Sequence, residues 1–137
     1  MERAIVRQQF LLSVPSEEAT TDDLGVARDL EDTLMAHRDT CAGMAANMIF
    51  ERKRIISFFD ERGRVQTMLN PKISTMREPF ETSEGCLCLE GTRPVRRYRR
   101  IRVTWQDTDL NSHTADFRGF VAEVIQHECD HLEGIVI

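Results

Sequence analysis

No stretch of the 137-residue chain approaches the roughly 20 consecutive apolar residues that a membrane-spanning helix requires, so no such helix is expected. The opening MERAIVRQQFLLSVPSEE has only a short apolar patch before its acidic residues, which makes a poor secretory signal. Positive charge is not in excess. Lys and Arg number 18 against 23 Asp and Glu, a net charge of −5, and that balance exerts no general pull toward nucleic acid or an anionic membrane. Internal repeats and low-complexity linkers are missing. These absences leave a soluble cytoplasmic protein, with no membrane partner, as the expectation.

Cysteine is sparse: Cys41, Cys86, Cys88 and Cys129. An even count allows two disulfides, but in the cytosol cysteines more often bind metal or do chemistry. Cys86 and Cys88 are too close for an easy mutual bridge, and on a strand they would point to opposite faces.

What is present supports a core. Hydrophobic residues make up 41% of the chain, and the length suits one compact domain over residues 1–137. Leu24, Ala27, Leu30, Leu34 and Met35 recur at helical spacing, and Thr21, Asp22 and Asp23 supply capping, so a helix is predicted over about 22–37. CAGMAANM is a run of small residues that lets backbone approach a neighbour closely. RIISFFD and VQTMLN read as two strands joined by a turn at ERG. Pro71 begins a further extended piece, SEGCLCLEG is a short glycine-bounded run, and Ile101, Val103 and Trp105 alternate on one face. A last helix is predicted over about 118–133, with Phe120, Val121, Val124 and Ile125 as apolar positions and Gly134 as its stop. Strands with an early and a late helix indicate an α+β fold.

The last helix carries IQHECDHLEG. Residues four apart lie about 40° apart around a helix and about 6 Å apart along it, so His127 and His131 can hold one metal ion together. Glu128 sits beside them, within reach of water on that metal; this is the mechanical content of HExxH. The alternative is a solvated helix with two exposed histidines. The apolar residues before His127 argue against it, because unpaired histidines on a buried helix are costly. A catalytic metal usually takes three protein ligands and keeps one open position. Only LEGIVI follows His131, and Glu133 does not easily share the face, so the third ligand is expected upstream. A thiolate is the best candidate. Cys129 is about 200° around the helix from His127 and reads as core packing. Cys41, Cys86 and Cys88 stay open on this argument.

Three stretches in order, CAGMAANM, EGCLCLEG and QHECDHLEG, resemble the motifs of the peptide deformylases, GxGxAAxQ, EGCLS and QHExDH. The last matches at Gln126, His127, Glu128, Asp130 and His131, and the middle one at Glu84, Gly85, Cys86 and Leu87. That family removes the formyl group from N-terminal formylmethionine of new proteins. The resemblance implies an α+β fold with antiparallel sheets packed around a central metal-binding helix. It implies Cys86, His127 and His131 as ligands of one divalent ion, ferrous iron first, with zinc, nickel or cobalt accepted. Glu128 would take a proton from water and deliver it to the leaving amine. The backbone N–H of Leu87 would help hold the oxyanion. Gly43 and Gly85 would let substrate backbone run alongside, and Arg93 would bind a substrate carbonyl or carboxylate. The implied partners are formylated N-termini of nascent polypeptides, with ribosome association.

The departures are specific. Cys41 replaces the first glycine of the first motif, Met48 its terminal glutamine, and Cys88 the serine of the middle motif. The family's glutamine donates a hydrogen bond toward the oxyanion, methionine has no such donor, and losing one typically costs about 10²–10³ in rate. Asn47 is the nearest substitute donor. No ligand or base is lost, so the departures bear on turnover rather than on metal binding. They motivate an alternative, a metal-binding relative with weak or no catalysis. A peptidase of another HExxH type is a third reading. Asp130 is expected as an acceptor near the site, and Cys88 and Met48 as packing. The six arginines of RPVRRYRRIR read first as a solvated strand face paired with acids, and second as a surface for ribosomal RNA.

Overall fold

A computed structural model describes residues 1–86 and 89–135. In chain order the elements are helix α1 (Gln9–Leu12), a 3₁₀ turn (Thr21–Asp23), helix α2 (Leu24–Ala36), strand β1 (Gly43–Ala45), a second 3₁₀ turn (Ala46–Ile49), strands β2 (Ile55–Phe59), β3 (Val65–Cys86), β4 (Leu89–Gln106) and β5 (Ser112–Arg118), and helix α3 (Gly119–Leu132). The five strands form one antiparallel sheet in sequence order. The predicted α+β class and both predicted helices are present.

α2 starts from Asp23 as its N-cap, one of the capping residues predicted, and Thr20 caps the 3₁₀ turn before it, where Asp23 reaches back to accept from the Thr20 N–H at 2.8 Å. Ala27, Leu30 and Leu34 are buried as expected, but Met35 is 43% exposed. Thr33 takes the inward position, its hydroxyl donating to the Asp29 carbonyl at 2.8 Å.

β2 explains the layering. Successive strand residues face opposite sides, and Ile55, Ile56 and Phe58 are all buried. Ile55 joins Leu30, Leu34 and Leu69 on the α2 side, while Ile56 and Phe58 join Ile101, Val103, Val121 and Ile125 on the α3 side. The sheet is thus sandwiched where β2 runs. Phe120 departs from its predicted burial and is 67% exposed, because it stands in the first turn of α3, beyond the edge of this core.

β3 and β4 are longer than the separate short strands expected from the sequence. Pro71 does not end a strand. It falls within the register shift between Leu69 and Lys72, and further shifts follow at Ile73/Thr75 and Gly85/Cys86. A proline cannot donate to the ladder, and such irregularities are where a long strand accommodates one. The hairpin carries Cys86 at its far end, toward α3.

Gly134 ends α3 as predicted, with φ +77° and its N–H donating to the His131 carbonyl at 3.1 Å. A Cβ there would lie 2.6 Å from the Ser13 carbonyl oxygen. Gly134→Ala is therefore expected to lower stability by about 1–3 kcal/mol, read as a reduced urea midpoint; an unchanged midpoint would refute this account of the helix end.

Candidate metal centre

α3 buries the face that carries its polar residues. Gln126, His127, Glu128 and His131 are all buried. Each needs a partner, since an unpaired buried polar group is costly. Gln126 is satisfied by the hairpin: its amide donates to the Tyr98 carbonyl at 2.8 Å and accepts from the Tyr98 N–H at 2.9 Å. His127 Nδ1 faces Glu84 Oε1 at 2.8 Å. Arg97, itself buried, donates from Nε to both Glu84 oxygens at 3.1 and 3.0 Å, from Nη2 to Glu84 Oε1 at 2.7 Å, and from Nη1 to Asp130 Oδ2 at 2.7 Å.

With Nδ1 engaged, His127 turns Nε2 toward His131 Nε2 at 3.3 Å, and Cys86 Sγ lies 3.4 Å from the same His131 nitrogen. The three ligand atoms lie within 4.8 Å of one another. Tetrahedral ligands at zinc-like bond lengths stand about 3.3–3.6 Å apart, so the spacing fits one ion. One thiolate and two imidazoles suit zinc, iron, cobalt or nickel and not the oxygen-seeking calcium or magnesium. The electrostatics agree. Burial alone would lower the His127 pKa, but its hydrogen bonds to Cys86 and Glu84 and the nearby Glu128 outweigh this and push it up to about 10. The protein groups surrounding this point ask for positive charge.

Glu84 behaves in the opposite sense. Burial favours its neutral form, yet hydrogen bonds with His127 and Arg97 hold its carboxyl down at about 2. Glu123 hydrogen-bonds Glu84, and burial together with that neighbour raises its pKa to about 7. Glu128 is buried, and that burial raises its carboxyl pKa. Its Oε1 has no hydrogen-bond partner among the described residues.

A cleft of about 310 Å³ opens beside these groups, with Cys86, His127, Glu128, Gly43, Gly85 and Met48 in its lining. Gly43 is sterically required. A Cβ there would lie 2.6 Å from Val124 Cγ1 and 3.2 Å from Glu128 Oε2, which is the close approach anticipated for the small-residue run. Gly85 has ordinary room, 3.4 Å to the Gly91 carbonyl, so its missing side chain keeps the cleft open rather than relieving a clash. Arg93 lies outside the cleft lining, opposite Glu84 on the neighbouring strand, with a buried Nη1 that has no partner among the described residues. Leu87 and Cys88 fall outside the described residues.

Among the described residues, Cys41 and Cys129 do not join the three ligands. Cys41 donates to the Gly43 carbonyl at 2.8 Å, and burial with the nearby Glu128 charge pushes its thiol up to about 12. Cys129 packs against the core as predicted, its thiol raised to about 12 by burial. Met48 is buried, and its sulfur lies 3.4 Å from the Ala45 N–H. Asn47 does not take over as a donor in the cleft, because its amide donates to the His131 carbonyl at 2.9 Å.

Glu84 and Arg97 are the residues to which the sequence reading gave no role. Parity carried a usable signal: Arg97 shares its strand face with Ile101 and Val103, which are buried. An arginine on an inward face must meet acids there.

Comparisons with known proteins show what the chain is similar to. The family model for polypeptide deformylase matches residues 6–137. The chain is 45% identical to the peptide deformylase of Clostridium beijerinckii over the full length of both. It is 35% identical to that of Leptospira biflexa over 96% of this chain and 79% of the relative. The peptide deformylase structure of Thermus thermophilus matches with a TM-score of 0.87 and 28% identity, over 99% of this chain and 83% of that one. A class I type b enzyme of Acinetobacter baumannii bound to Met-Ala-Ser matches in fold with a TM-score of 0.89 and 22% identity, over 99% and 97%.

The geometry predicts one equivalent of bound cobalt(II) with a thiolate charge-transfer band. Cys86→Ser should abolish the band, and His127→Ala or His131→Ala should weaken binding at least about tenfold. A band that survives Cys86→Ser would assign the sulfur to another cysteine.

Proposed function

The chain belongs to the peptide deformylase family, and from that premise we propose how its residues divide the work. It is a hydrolase that removes the formyl group from the N-termini of nascent proteins, a water-dependent cleavage yielding formate and a free amine. The carrying observation is the convergence of Cys86, His127 and His131 beside the buried carboxyl of Glu128. These three would hold one divalent ion, which we assign as ferrous iron, with zinc, nickel or cobalt as functional substitutes. When bound, such an ion lowers the pKa of water and polarises a carbonyl oxygen.

Glu128 is the general base and acid. Its burial raises its proton affinity, and its free Oε1 can take a proton from the attacking water and pass it to the departing amine nitrogen. The water oxygen first adds to the formyl carbon, and the bond from that carbon to nitrogen then breaks as Glu128 returns the proton to the nitrogen. Glu84 holds His127 in the ring orientation that aims Nε2 inward. Gly43 and Gly85 admit the substrate backbone, and Arg93 is assigned to a substrate carbonyl or carboxylate on the strength of the family resemblance alone. The backbone N–H of Leu87 is assigned to the oxyanion on the strength of the family motif. Met48 leaves the glutamine's share of that work to other donors.

No observation favours the weakly active alternative, since the three ligands, the base and the cleft all occur together. Family membership replaces the reading as another kind of HExxH peptidase. We place the enzyme in the cytoplasm, where nascent chains are made; among the described residues no helix is long and apolar enough to cross a membrane. Four of the six arginines in RPVRRYRRIR pair with acids: Arg96 with Glu81, Arg97 with Glu84 and Asp130, Arg100 with Glu78 and Arg102 with Asp116. That favours a solvated, paired face. We propose ribosome association on the family resemblance alone.

The direct test is formate release from a formyl-Met peptide, with protein loaded anaerobically with iron or nickel. Glu128→Ala should keep its metal and lose at least about 10²-fold in kcat. Full turnover in that variant would refute the proton-transfer assignment.

A further inference from the structure

We propose that Arg97 is a positioning residue for the metal centre, acting through Glu84 to fix the orientation of His127. The inference rests on the metal-site reading above and extends it to a residue that touches neither ligand nor substrate. Arg97 is 5% exposed and lies four positions along β4 from Arg93, the residue opposite Glu84. Its guanidinium reaches back along the hairpin to grip both Glu84 oxygens and extends Nη1 to Asp130 on α3. One planar group therefore joins β3, β4 and α3 within the residues nearest the centre.

The fork sets a rotation. A carboxylate held by a single hydrogen bond can swing about its last torsion, whereas one held from two nitrogens is fixed in its plane. Here Glu84 Oε1 receives both Arg97 Nη2 at 2.7 Å and His127 Nδ1 at 2.8 Å. An acceptor facing Nδ1 leaves Nε2 as the lone-pair side of the ring, and Nε2 is the atom that meets His131 and Cys86. The bond from Nη1 to Asp130, one residue before His131, ties the same guanidinium to the turn carrying the other histidine. Lysine would supply charge but no planar fork, so the role belongs to the shape of arginine as well as its charge.

The test compares Arg97→Met, Arg97→Lys and a control, Arg96→Met, whose wild-type side chain is exposed on the same strand and pairs with Glu81. Each is titrated with cobalt(II) against a chelator, and the visible spectrum is recorded at saturation. Arg97→Met and Arg97→Lys are expected to lose about 10–100-fold in affinity and to show shifted ligand-field bands while keeping the thiolate band. Arg96→Met should match wild type in both. The ligand-field bands separate positioning from plain destabilisation, because they report the ligand arrangement in molecules that have folded and bound metal. Should Arg97→Met fail to fold, Arg97→Lys carries the test. Wild-type affinity and an unshifted spectrum in a folded Arg97 variant would overturn the proposal and leave the metal site intact. Wild-type protein that takes up no cobalt would overturn the metal reading, and this proposal with it.

Discussion

A helix that buries two histidines and a glutamate side by side has removed groups from water that water would otherwise satisfy. The remaining structure at the site follows from meeting that demand. Glu84 supplies an acceptor for His127, and Arg97 supplies the charge that makes a buried Glu84 tolerable. Neither of the pair could sit there alone, since an uncompensated buried charge costs several kcal/mol, about 3–5 when one partner is removed. The long β3–β4 hairpin is what delivers them. It brings Glu84 and Cys86 from one strand and Arg97 from the other to a single face of α3, with Gln126 bonded to the hairpin backbone as a further tie.

The geometry pairs one candidate ligand on its outer side and leaves two atoms beside it, His131 Nδ1 and Glu128 Oε1, without a partner among the described residues. His127 is committed on its outer nitrogen, and Arg97 holds the carboxylate it faces. Glu128 lies next in sequence but has an oxygen without a partner among the described residues. That contrast suits the proposed hydrolytic role, which needs a held histidine and one carboxyl free to exchange a proton. Gly43 belongs to the same design. A side chain there would run into Val124 and crowd Glu128, so this glycine leaves space beside the carboxyl proposed as the base.

Much of this was legible in the sequence. Helical periodicity located α2 and α3, and the four-residue histidine spacing placed two ligands on one face. The third ligand was not available from periodicity, because Cys41, Cys86 and Cys88 were equally permitted until the motif resemblance selected one. The hairpin was read as separate short strands because Pro71 and Gly85 look like breaks; within the sheet, Pro71 and Gly85 coincide with register shifts instead. Phe120 and Met35 were placed inward by spacing, yet each lies past the edge of the apolar stripe. Arg97 was hidden in a run of arginines that reads as surface charge. Its role depends on a diagonal reach across the hairpin to Glu84 and onward to Asp130, and no local pattern encodes that distance. Asn47, a plausible replacement donor by position, is instead committed to the His131 carbonyl.

X-ray absorption spectroscopy of the zinc-loaded protein tests the central claim most directly, because it counts the atoms around the ion. The account predicts one sulfur at roughly 2.3 Å, two imidazole nitrogens at roughly 2.0–2.1 Å and one further light atom from solvent. Two sulfurs, or none, would contradict it, showing that Cys86, His127 and His131 are not the ligand set and that the buried network around them serves another purpose.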